Sequence, residues 1–168
     1  MNKSLKSALV EKYIYWKTRG VYKELEKTPL TLPLKATEVK NVLVILPLDM
    51  ERVDAAISLV NKLRKHFANW HYMMLDVEKI KKDQLNRLEL PGQEFMDDLK
   101  KYHFDMVLDL NFEYDARIKY LIAMLRVPLR VRLFALQKNQ YNIVIQSDRS
   151  RFKNFDFVFN NLTRIFME

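Results

Sequence analysis

The chain contains no cysteine and only two glycines among its 168 residues. Without cysteine there is no disulfide framework, no thiolate metal site and no cysteine nucleophile. With Gly20 and Gly92 far apart, the phosphate-cradling P-loop, the G-x-G-x-x-G fingerprint and the glycine-flanked serine elbow are all excluded. No apolar run reaches the roughly 18 residues that cross a bilayer. The opening MNKSLKSALVEKYIYWK lacks the apolar centre and small-residue cleavage site of a secretory signal. A cytoplasmic location is therefore expected. His66, His71 and His103 are scattered, without the spacing of a metal site, so neither metal nor cofactor is expected.

What is present is a globular composition, 49% apolar and 30% charged, in a length that suits one domain with a real core. The net charge of +8 is uneven: residues 1–40 carry nine basic and four acidic groups, residues 41–114 ten and thirteen, and residues 115–168 ten and four. Basic ends around an acidic middle suit a phosphorylated substrate, an anionic lipid or nucleic acid, and they also suit simple solubility.

Residues 4–28 read as a helix in which Leu5, Ala8, Leu9, Tyr13 and Trp16 recur at helical spacing among Lys3, Lys6, Lys12, Lys17 and Arg19. Gly20 should weaken or kink it, and the prolines of Thr28 to Pro33 should end it. Residues 1–39 thus form a helix and a proline-containing linker, and residues 40–168 the main domain.

There, strands alternate with helices. Val42 to Leu46, Trp70 to Leu75, Phe104 to Leu110, Leu129 to Phe134 and Tyr141 to Ile145 have strand character. Val53 to Phe67, Lys79 to Leu88, Glu94 to Tyr102, Ala116 to Leu125 and Phe155 to Phe166 read as helices. The alternation predicts an α/β, Rossmann-like open sheet, mostly parallel and five-stranded, with helices on both faces and an N-terminal helical extension.

Three strings in order, VLVILPLDMERVDAAISLVNKLRKHF, FDMVLDLN and ARIKYLIAMLRVPLRVRLF, resemble the N-terminal, acceptor-side half of the bacterial ADP-heptose:lipopolysaccharide heptosyltransferases, glycosyltransferase family nine. They cover roughly residues 40–135. The resemblance implies one half of a two-domain glycosyltransferase whose sugar-nucleotide is held mainly by the other half. Family members carry an R-x-G-D-type turn with a catalytic Asp after the first strand. This chain has Asp49, Glu51, Arg52 and Asp54 there, and no glycine. The chain also stops where the donor half should begin. The resemblance implies a half-domain without independent catalysis that binds a partner protein or a glycan- or nucleotide-containing ligand. A split glycosyltransferase, completed by a second polypeptide, is the enzymatic alternative; a basic adaptor for nucleic acid or membrane is another.

Each candidate residue has two open readings. Asp49 or Asp54 accepts a proton from a sugar hydroxyl, or Asp49 caps the next helix while Asp54 sits in its first turn. Asp109 and Asn111 line a polar cleft with Arg52, or merely begin a loop. Arg126, with Arg130 and Arg132, binds phosphate, or the alternating arginines guard an edge strand from aggregation. The basic, aromatic helix of residues 3–23 packs on the domain or a second subunit, lies on an anionic inner-membrane surface, or binds nucleic acid. The last is not supported by any nucleic-acid motif.

Overall fold

A computed structural model describes residues 3–25, 30–133, 141–146 and 155–167. In chain order these are α1 (Lys3–Leu25), β1 (Leu34–Lys35), β2 (Asn41–Ile45), α2 (Val53–His66), β3 (His71–Leu75), α3 (Gln93–Lys100), β4 (Met106–Asp109), α4 (Ala116–Leu125), β5 (Leu129–Leu133), β6 (Ile143–Ile145), α5 (Asp156–Ile165) and β7 (Phe166–Met167). Five strands form one parallel sheet in the order β3-β2-β4-β5-β6. The expected Rossmann-like α/β architecture is present.

Period-two alternation in the strands makes two cores. Val42, Val44, Met106, Leu108, Val131 and Leu133 face α2 and α5, where Leu59, Leu63, Val158 and Leu162 meet them. Leu43, Ile45 and Val107 face α3 and α4 through Met96, Leu99, Ile118 and Leu121. Both faces are covered, which is why these strands read as unbroken apolar runs.

Around this frame the sequence reading needs two corrections. The stretch Lys79 to Leu88 is not an α-helix. Short 3-10 turns occupy Val77–Lys79 and Lys82–Gln84, and Leu85 bridges Pro91. The cause is local: Asn86 Oδ1 accepts the N–H groups of Leu88 and Leu90, holding a turn that competes with helix. Second, β5 is interior, between β4 and β6, so Arg130 and Arg132 are not edge guards. Both are buried instead.

The helix α1 continues past Gly20. Its inward face is Val10, Ile14 and Val21, with Thr18 donating to the Ile14 carbonyl, whereas Leu5, Leu9 and Trp16 face out. Thr28, Pro29 and Phe134 lie outside the described residues. The helix is no loose appendage: Tyr13 packs on Tyr120 of α4, and Glu11 receives hydrogen bonds from Lys119 and Tyr114. The linker is tied down as well. β1 pairs with β7, and the buried Trp70 indole donates to the Ala36 carbonyl. Among the described residues no helix is long and apolar enough to cross a membrane.

Candidate functional site

Renumbering the five sheet strands by sequence gives the doubly wound order 2-1-3-4-5, in which connections leave β2 one way and β4 the other. Between the carboxyl ends of those two strands the loops diverge, and open α/β sheets bind their ligands there. A cavity of about 340 Å³ occupies this place, lined by Pro47, Leu48, Asp49, Arg52, Asn111, Phe112 and Glu113.

Asp49, Arg52 and Asn111 are thus brought together, as their positions after two adjacent strands imply. Asp49 lies before a single 3-10 turn, Met50–Arg52, that leads into α2, and its carboxylate accepts the Glu51 N–H at 3.1 Å. The same carboxylate meets Arg52 Nε at 2.9 Å. The Arg52 guanidinium carbon lies 4.6 Å from the Phe112 ring centre, a cation–π arrangement at the cavity wall. Asp49 caps this short turn rather than α2, whose own N-cap is Arg52 without a side-chain cap, and its oxygens hold one N–H donor and one cation.

Asn111 joins the two strand ends. Its Oδ1 accepts the Leu48 N–H at 2.8 Å, and its Nδ2 donates to the Leu46 carbonyl at 3.0 Å and to Asp109 Oδ1 at 2.9 Å. The amide holds the floor of the cavity in shape rather than presenting free groups to it.

Asp109 lies below this floor, wholly buried on the α3–α4 face. Burial pushes its carboxyl above the usual carboxylate range, against the hydrogen bonds from Tyr141 and Asn111 and the Arg132 charge. Arg132 has its Nε 3.7 Å from Asp109 Oδ2, donates from Nη2 to the Glu113 carbonyl at 2.8 Å, and lies over the Tyr141 ring. A buried cation, carboxyl and phenol thus tie β4, β5 and the segment before β6 to the Glu113 side of the cavity.

Two candidates lie elsewhere. Asp54 is exposed in the first turn of α2 and does not line the cavity. Arg126 caps the C-terminus of α4 in a left-handed conformation, just before β5 begins and so at the opposite end of the sheet. Phe112 and Glu113 were not anticipated as lining residues, although both directly follow the FDMVLDLN string and the strand-end rule points at them. Nothing in sequence linked Tyr141 or Arg132 to Asp109.

Fold and cavity together define an open, parallel α/β domain with a small polar crevice at its topological switch point. No family model matches the chain, and no curated protein matches it.

Proposed function

We propose that this chain is a binding domain of the heptosyltransferase-like, acceptor-side type, which takes a small glycan- or nucleotide-derived group in the switch-point crevice and has no catalysis of its own. The observation that carries this is the Asp49–Arg52–Phe112 arrangement. It offers a cation over an aromatic wall for a phosphate or a sugar face, while the Asp49 carboxylate is already engaged by Arg52 and the Glu51 N–H. The cavity volume lies near the lower limit for small-molecule sites, roughly 300–1,000 Å³, so it suits a monosaccharide or one phosphate-bearing fragment. The order of strand, acidic turn, helix and D-L-N strand end supports the family likeness. A cytoplasmic, bacterial setting accompanies that reading.

Amide NMR titration with ADP, inorganic phosphate and a heptose phosphate tests it. Shifts should concentrate at Leu48 to Arg52 and Asn111 to Glu113, and Arg52→Ala should weaken them about tenfold, the effect of a charge-assisted contact of roughly 1.5 kcal/mol. Perturbations confined to other surfaces would overturn the assignment. Sugar transfer from an ADP-sugar by the purified chain alone would overturn the non-catalytic half of it.

A further inference from the structure

We infer that the outward face of α1 is a docking surface for an anionic lipid bilayer. Of the exposed large apolar side chains among the described residues, four lie on this one helix: Leu5, Leu9, Tyr15 and Trp16, exposed by 61, 50, 69 and 59%. Isolated exposed leucines are ordinary. Here Leu5, Leu9 and Trp16 share one face at helical spacing, over roughly 16 Å at about 1.5 Å per residue.

The charges on that helix are arranged to match. Lys12 and Arg19 project from the same face as Leu5, Leu9 and Trp16, and Lys17 flanks it, with its ammonium 5.2 Å from the Trp16 ring centre. Among the described residues no carboxylate pairs with Lys12, Lys17 or Arg19. The acidic residue within this stretch, Glu11, is turned inward to Lys119 and Tyr114. The face bearing Leu5, Leu9, Lys12, Trp16 and Arg19 is therefore apolar and cationic, and Glu89, at the flank of this helix, is already paired with Lys6.

The opposite side of the helix is already occupied by α4 through Val10, Ile14 and Tyr13. The helix is thus held in place with this face exposed. By contrast, α2 turns Leu59, Val60 and Leu63 to the core and leaves Asp54, Lys62 and Lys65 among its outer residues.

A rigid helix with Leu and Trp between lysine and arginine matches the headgroup boundary of an anionic membrane. Apolar side chains enter the acyl edge, the indole sits at the interface, and the cations meet lipid phosphates. A soluble protein partner would need acidic groups around an apolar stripe. A bilayer supplies both continuously. This surface stands apart from the crevice reading, so Arg52→Ala must leave it unchanged.

Vesicle co-sedimentation provides the test, with phosphatidylcholine alone against phosphatidylcholine containing phosphatidylglycerol. The full chain should bind the anionic vesicles, bind the neutral ones much more weakly, and dissociate as salt rises. Lys12→Glu with Arg19→Glu should weaken binding by about tenfold or more, at roughly 1 kcal/mol per basic residue. The triple variant Leu5→Ser, Leu9→Ser, Trp16→Ser should weaken it comparably, and circular dichroism and unfolding curves should match the parent because all these side chains are exposed. Trp70 is buried, so a vesicle-dependent blue shift of tryptophan emission reports Trp16. No binding to anionic vesicles overturns the proposal. So does binding that both variants retain, or self-association or oligonucleotide binding through this face with no vesicle binding.

Discussion

The two ends of the β2–β4 pair are fastened by the same device and used differently. At the amino end, the Asp105 carboxylate accepts the N–H groups of Lys40 and Asn41 at 2.8 and 2.9 Å, stitching β2 to β4. At the carboxyl end, the Asn111 amide does the equivalent for Leu46 and Leu48. At the amino end, Leu30, Leu34, Val39 and Leu129 give the nearby groove an apolar lining. The carboxyl end stays open and polar among the described residues, because the connections from β2 and β4 depart in opposite directions there. One side-chain clamp can therefore serve stability at one end and the shape of a binding crevice at the other.

The difference breaks most severely at Asp109, which supports only the open end. Asp109→Ala leaves Arg132 as a buried cation without its carboxyl neighbour and deprives the Tyr141 hydroxyl of an acceptor. Urea unfolding at neutral pH should show a loss of about 3 kcal/mol. The sign of the pH dependence sharpens this. Burial raises the Asp109 pKa in the folded state, so the folded chain holds that proton more tightly than the unfolded one. The resulting stabilisation is complete below the unfolded value of about 3.9 and fades as pH rises through the folded pKa. Asp109→Asn has no proton to release. Its stability deficit relative to the parent should therefore be greatest in acid and shrink toward neutrality; a deficit that grows with pH would show that ion pairing with Arg132 dominates over burial.

Asn111→Ala comes next. It strands the Leu48 N–H and Leu46 carbonyl near a partly dry floor, a cost of about 2 kcal/mol. It should also disperse the ligand-induced NMR shifts, since the cavity floor loosens. Asp105→Ala removes two hydrogen bonds that are themselves more exposed than those of Asn111 and should cost about 1 kcal/mol, leaving those ligand shifts intact. Equal effects of the two variants on ligand shifts would mean that the clamps are not functionally distinct.

How much of this the sequence discloses depends on range. The sheet and the cavity's first wall were readable, because Val42 to Leu46 and Phe104 to Leu110 carry the unbroken apolar signature of buried parallel strands. The strand-end rule then selects the residues that follow them. Residues 79–88 failed because Asn86 bonds its own neighbouring backbone, a local alternative that polar composition does not distinguish from a solvated helix. Which face of α1 is buried is not legible in the sequence for a different reason. Both its sides carry apolar residues at helical spacing, and only the position of α4 decides which side is buried. The Asp109–Arg132–Tyr141 cluster joins three separate elements, so periodicity carries no trace of it.

The smallest effects bear on the two aspartates of the acidic turn, and they separate a cavity wall from a helix end. Asp49→Ala removes a cap acceptor and the partner of Arg52, for about 1 kcal/mol of stability. By freeing the guanidinium it should tighten phosphate binding. Asp54 faces solvent one position inside α2, where its charge favours the helix dipole by roughly 0.3–0.5 kcal/mol. Asp54→Asn should therefore barely move the unfolding midpoint and should leave the ligand-induced shifts at Leu48 to Arg52 unchanged. If it abolishes those shifts while Asp49→Ala preserves them, the ligand lies against the first turn of α2 rather than in the crevice, and the contrast between the two ends of the sheet would have to be redrawn around the helix.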